Sequence, residues 1–328
     1  MSEVYRLGHI TDLHVPPLPV VSFRALASRR FLGWVSWERR RHRMHLRQVL
    51  DALGGDLVHQ HPDHIAVTGD LTNLALPAEF VQGAAWLRGL GKPDEVTFIP
   101  GNHDAYVPPR WERSWAEVAA FMRGDDRAEA PREEHAVFPF VRQRPPLAIV
   151  GVSTAVPNPP TLATGRIGSA QLQRLRRVLG ELRGGDACRV VLLHHPPGSG
   201  MASWRRRLTD AAAFRAVIRE HGADLILCGH QHRFQLAELP GPDGPVPVVG
   251  GPSASLVEGE HDRYGGYLMH SLARSNTGWR IEVEARRLDT HSGKVRHDFT
   301  VSIARAAPGG PLVISRDGGA GAVPAHPL

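Results

Sequence analysis

The chain has 328 residues, 42% hydrophobic and 22% charged, which is a globular composition long enough for one large domain or two small ones. Its formal net charge of +6 and sequence pI near 10.0 favour anionic partners, without choosing among nucleic acid, a phospholipid surface and a phosphorylated small molecule. The apolar runs fall well short of the roughly 20 residues a membrane-spanning helix needs.

The opening "MSEVYRLGHITDLH" carries acid and lacks an apolar core, so no signal peptide is expected. Cys188 and Cys228 lie in apolar, strand-like runs, which suits reduced, buried thiols and a cytoplasmic location. The 19 histidines favour a metal site, because imidazole is the commonest metal ligand.

In chain order, a strand over residues 4–10 ends in Thr11-Asp12-Leu13-His14. A basic, helix-like segment over 23–53 is expected to stop at Gly54-Gly55. A strand over 64–68 runs into Gly69-Asp70, and Pro77 then opens a helix with Phe80, Ala84 and Leu87 on one face, closed by Gly91. A third strand, 95–99, runs into Gly101-Asn102-His103-Asp104. Helix signals follow over 111–122, a strand over 147–152, and a helix from Ser169 with Leu172, Leu175 and Leu179 on its apolar face. A strand over 189–193 meets His194-His195. A helix over 209–221 ends at Gly222, and a strand over 224–228 runs into Gly229-His230-Gln231-His232. Beyond Arg233 the pattern turns to strands and turns, and the Gly/Ala/Pro-rich stretch 306–328 reads as a flexible tail. The domain is therefore expected to span 1–305, with a basic, Trp-containing insertion at about 22–50. The alternation implies an α/β fold with parallel strands, followed by a β-rich half.

Five strand-like runs thus end in polar clusters: Asp12/His14, Asp70, Asn102/His103/Asp104, His194/His195 and His230/His232. In open α/β sheets, ligands sit in the crevice beyond the carboxyl ends of the strands, where residues distant in sequence converge. Carboxylate, amide and imidazole with no thiolate suit Mn, Fe or Zn. The pairs Asp12-x-His14 and His230-x-His232 place both members on one side of an extended segment. A carboxylate such as Asp70 can bridge two cations, and two metals roughly 3.5–4 Å apart can clamp a phosphoryl group. Other histidines read as structural: His9 and His64 fill strand positions, while His42, His45, His59 and His61 look like solvated surface.

The pieces "DLH" at 12–14, "GD" at 69–70, "GNHD" at 101–104, "HH" at 194–195 and "GHQH" at 229–232 resemble the calcineurin-like metallophosphoesterases. Their wording looks most like the bacterial branch with class III cyclic-nucleotide phosphodiesterases and glycerophosphodiesterases. The resemblance implies a four-layer α/β/β/α sandwich of two packed mixed sheets flanked by helices. It implies two metal ions, Mn or Fe, with Zn also compatible. Asp12, His14 and His232 would hold the first, Asn102, His194 and His230 the second, and Asp70 both. It further implies that a hydroxide held between the metals attacks phosphorus, with His103 as general acid and Asp104 orienting its ring. Asn73, His195, Arg205 and Arg206 are expected to face the substrate.

The motif set does not choose the phosphoester. The insertion "RRFLGWVSWERRRHRMHLR" and the loop "PPGSGMASWRRRLTD" both leave from metal-bearing strand ends and border the site. One reading is a cap helix with a solvated basic loop over a small phosphodiester site. Another is a basic, Trp-bearing rim that docks a lipid-linked substrate on anionic membrane, as in relatives that cleave UDP-diacylglucosamine. A nuclease lacks support, since no nucleic-acid module is evident and no specific nucleic acid is expected. A protein phosphatase, a non-catalytic metal scaffold and a homodimer through the β-rich half complete the alternatives.

Overall fold

The computed structural model describes residues 4–108, 111–125, 137–257 and 263–317. Two mixed sheets form its centre. The first has the order β13-β12-β11-β10-β1-β2-β3 and the second β4-β5-β6-β7-β9-β8. In the first sheet β1 (Tyr5–Ile10), β2 (His64–Val67) and β3 (Val96–Phe98) run parallel. The strands β10 (Gly266–Ser275), β11 (Gly278–Leu288), β12 (Val295–Arg305) and β13 (Leu312–Asp317) extend it antiparallel from β1. In the second sheet β5 (Leu147–Gly151), β6 (Cys188–Leu192), β7 (Leu225–Cys228) and β9 (Val246–Gly250) are parallel. Its edges β4 (Phe140–Arg144) and β8 (Gln235–Leu239) are antiparallel.

Strand alternation explains how one sheet serves two cores. In β6, Cys188, Val190 and Leu192 join the core between the sheets, while Val191 joins the core on the outer face. In β7, Leu225 and Leu227 face inward and Ile226 and Cys228 outward. The outer core is closed by α6 (Ser169–Leu182) through Leu172, Leu175 and Leu179, and by α7 (Ala211–His221) through Phe214, Val217 and Ile218. On the other side, α4 (Arg47–His59) and α5 (Pro77–Leu90) contribute Leu50, Leu53, Phe80 and Leu87 to the core of the first sheet. The result is helices, sheet, sheet, helices.

Three expectations need correction. Residues 23–53 are not one helix but α1 (Phe23–Leu26), α2 (Arg30–Ser36), a π-helical turn (Trp37–Arg41) and α3 (His42–Met44), with the chain extended at His45 before α4. Gly54 and Gly55 do not end α4. A Cβ on Gly54 would meet the Trp86 ring at 2.8 Å, so this glycine allows close approach of α5. The expected tail contains β13, whose Leu312 and Ile314 pack on the core; residues 318–328 lie outside the described residues.

Both cysteines are buried and free. Among the described residues no helix is long and apolar enough to cross a membrane.

Candidate dinuclear metal centre

The carboxyl ends of β1, β2 and β3 in one sheet and of β6 and β7 in the other open onto a common cleft. The backbone there is unusual. Asp12, His14, Asp70, His230 and His232 all have positive φ, between 40° and 72°. Non-glycine residues rarely take this left-handed region, and such strain clusters at functional sites.

Asp70 lies at the middle of the cluster. Its Oδ1 accepts the backbone N–H of His103 at 2.8 Å. Its Oδ2 is 3.4 Å from His194 Nε2 and 3.8 Å from His14 Nε2, so one oxygen faces a histidine from each sheet. Asn102 Oδ1 lies 3.3 Å from His194 Nε2, and His232 Nε2 lies 3.1 Å from Asp12 Oδ1. Asp12, His14, Asp70 and His194 are almost fully buried.

Backbone carbonyls set the tautomers. The Nδ1–H groups of His14, His194 and His103 donate to the carbonyls of Thr72 (3.2 Å), Thr68 (2.7 Å) and Asn73 (2.7 Å). In the neutral ring each Nε2 is thereby left as the lone pair, the usual arrangement behind a metal-binding imidazole.

The donor set fits a metal pair. Donors about 2.0–2.2 Å from a common ion stand about 3.0–3.5 Å apart, close to the separations seen here. Among the described residues Asp12 Oδ1 and His230 Nε2 are buried with no hydrogen-bond partner, as unclaimed ligand atoms would be. Asp12, His14, Asp70 and His232 form one group whose ligand atoms all lie within 4.8 Å of one another, and His194, His195 and His230 form another.

The rings differ in their hold on a proton. Burial alone lowers the His194 imidazole pKa, but the Asp70 carboxylate outweighs it and carries it up to about 9. Burial, then the Arg41 guanidinium, holds His103 down at about 4.

Several expected roles change. Asp104 does not orient the His103 ring. Its carboxylate accepts N–H groups of Gly101 (2.8 Å), Thr72 (2.9 Å) and Leu71 (3.2 Å), tying the β3 loop to the β2 loop. Asn73 serves through its carbonyl, and its buried side chain does not line the cavity. His195 is buried behind His230, with ring centroids 4.3 Å apart and Nδ1 2.7 Å from Thr154 Oγ1, rather than on the cavity wall. Arg206 lines the cavity, whereas Arg205 turns its guanidinium over Trp204.

Sequence reasoning missed three contributors. Glu79 is buried and accepts the N–H groups of Asn73, Leu74 and Leu76 at 2.6–3.0 Å, which fixes the loop that holds His103. Arg41 reaches in from the insertion, 3.1 and 3.4 Å from the two ring nitrogens of His14 and 3.3 and 3.5 Å from those of His103. Near-equal distances to both nitrogens of each ring put it off the lone-pair axes. His45, read as surface, is buried with its ring 4.6 Å from that of His14. Above them lies an open cavity of about 650 Å³. Arg29, Arg40, Arg41 and Arg206 share its lining with Leu32 and Leu162.

Comparison with known proteins agrees with this construction. Residues 5–234 match the model of the calcineurin-like phosphoesterase family, and the chain belongs to that family. Among solved structures it is similar to a dimetal phosphatase from Danio rerio, at TM-score 0.59 and 12% identity, covering 89% of this chain and 98% of that one. It is also similar to the purple acid phosphatase PPD1 from yellow lupin (Lupinus luteus), at TM-score 0.56 and 12% identity. That match covers 90% of this chain and 53% of the lupin chain, so this chain spans about half the length of that enzyme. At such identity the likeness is one of fold. No curated protein sequence matches the chain.

Proposed function

We propose that the protein is a metal-dependent phosphodiesterase acting on a small phosphodiester of the cyclic-nucleotide or glycerophosphodiester type. The observation that carries this reading is the Asp70 carboxylate between two histidines of opposite sheets, beneath His103 and Arg41 on the floor of a cationic cavity. Asp12, His14 and His232 would hold one ion, Asn102, His194 and His230 the other, with Asp70 shared. When bound, such a pair supplies Lewis acidity and lowers the pKa of water; Mn, Fe and Zn all suit these donors.

The chain's own groups do the rest. Arg41 and Arg206 attract the phosphoryl oxygens, and Arg41 bears on charge that builds up on them. His103 presents Nε2 to the leaving oxygen because Asn73 holds its Nδ1–H. A pKa of about 4 keeps its ring neutral at neutral pH. The negative charge of a bound phosphoryl group opposes the effects of burial and of Arg41 and favours the protonated ring, so Nε2 takes a proton from solvent and passes it to the leaving oxygen. The apolar part of the lining leaves room for the ester substituents.

A second reading, hydrolysis of a lipid-linked phosphoester at a membrane surface, has its own support. Phe23, Phe31, Leu32 and Trp204 are exposed on the two segments that border the cavity, next to arginines. Such a rim suits an anionic, amphiphilic surface.

The test is a substrate panel with added Mn²⁺: cyclic AMP, glycerophosphodiesters, bis-p-nitrophenyl phosphate and UDP-diacylglucosamine, each against an Asp70→Asn variant. Turnover of soluble diesters that vanishes in the variant supports the first reading. Turnover confined to the lipid substrate, with sedimentation on anionic vesicles, supports the second. Hydrolysis of phosphomonoesters alone overturns both.

A further inference from the structure

We propose that His45 is an additional metal ligand, adding a third imidazole to His14 and His232 at the first metal position; this rests on the dinuclear reading above. The ligand nitrogens of His14, His45 and His232 all lie within 4.8 Å of one another. The His45 ring centroid is 4.6 Å from that of His14 and 5.9 Å from that of His232. The residue is only 3% exposed, although it comes from a segment rich in solvated arginines.

One of its ring nitrogens is held, as in the other candidate ligands, here by a hydroxyl instead of a carbonyl. His45 Nδ1 is 2.8 Å from Ser255 Oγ, so its remaining ring nitrogen is the one left for the cluster. The backbone is fixed as well. His45 bridges antiparallel to Leu256, Leu46 N–H donates to the Ser255 carbonyl at 2.9 Å, and Val257 N–H donates to the Met44 carbonyl at 2.9 Å. The insertion is thus stapled to the segment after β9, on both sides of this imidazole. A surface histidine has no need of such an arrangement.

A consequence follows for metal choice. With His45, the first position carries three imidazoles beside the carboxylates of Asp12 and Asp70, while the second keeps His194, His230, Asn102 and the shared Asp70. Imidazole-rich sets favour Zn and Fe over Mn and Mg. The two positions should therefore differ in preference, with the first the more selective for Zn or Fe.

The experiment is chelator-competition titration of the metal-stripped 328-residue chain with Zn²⁺ and with Mn²⁺, comparing wild type, His45→Ala and His45→Gln. X-ray absorption would count imidazoles on Zn-loaded samples. The expected result is that both variants keep one equivalent at wild-type affinity and bind the other on the order of 10–100-fold more weakly, with fewer imidazoles per metal and a larger loss for Zn²⁺ than for Mn²⁺. His45→Gln guards against a folding artefact, since glutamine can still reach Ser255 while lacking the ring; a loss confined to His45→Ala overturns the proposal. If wild type binds two equivalents and both variants match it, the His45 assignment alone falls. If wild type binds fewer than two, the dinuclear reading falls and takes this inference with it.

Discussion

Asp12 Oδ2 accepts the backbone N–H of His230 at 2.8 Å, so a ligand candidate on one sheet holds a ligand candidate on the other. The same oxygen also takes the Thr11 hydroxyl at 2.9 Å, leaving Oδ1 turned to His232. The two halves of the centre are therefore mechanically joined through one carboxylate.

Asp12→Ala should for that reason weaken both metal equivalents, although Asp12 would ligate only one. The His230 N–H becomes a buried donor without a partner, at a cost of about 1–3 kcal/mol. Calorimetric titration resolves the two equivalents; an unchanged second one would contradict the coupling.

His103→Ala should retain both metals and lose about 10²–10⁴-fold in turnover. The loss should be greatest for esters with poor leaving groups, which most need a proton. Full activity on such an ester would remove His103 from the chemistry.

Metal binding should release a proton near neutral pH. The His194 pKa is raised above its ordinary 6.5 to about 9 by Asp70, against burial. In the metal-free protein the resulting stabilisation is fully present below about 6.5 and is lost as pH rises through about 9. A ligated imidazole must be neutral, so apparent metal affinity should climb across the same interval. Unfolding of the metal-free and metal-loaded protein from pH 6 to 9.5 checks this: stability falls in the first, and the gap between the two widens.

Glu79→Ala should lower stability by about 1–3 kcal/mol or more, because it strands the N–H groups of Asn73, Leu74 and Leu76. It should also reduce kcat, since the freed loop no longer aims His103, while metal affinity stays close to wild type. Denaturant unfolding read beside kcat separates the two effects.

The strand ends were readable because each apolar run stops at a polar residue that no core would accept, and topology gathers such ends into one cleft. Arg41 and His45 were hidden for a physical reason. Their segment shows a basic helical pattern, but the helix widens at Trp37–Arg41 and breaks at His45, which turns both side chains inward. Only the pairing of His45 with Leu256, 211 positions on, reveals the direction. Adjacency in "GNHD" suggests contact between its members, whereas the Asp104 carboxylate turns back to the β2 loop. Gly54 resembles a helix end because sequence shows the missing side chain but not the Trp86 ring that needs the space. β13 is hidden because its apolar run, Leu312–Ile314, is short and stands between glycines and prolines.

The positive φ angles at Asp12, His14, Asp70, His230 and His232 set activity against durability. Each costs on the order of 1–3 kcal/mol, which glycine would relieve. Replacing His14 or His232 by glycine should relax the scaffold while emptying the site. Random substitution selected only for folding would therefore drift toward a sturdier protein without a centre, and keeping these five side chains demands continuous selection for what they do.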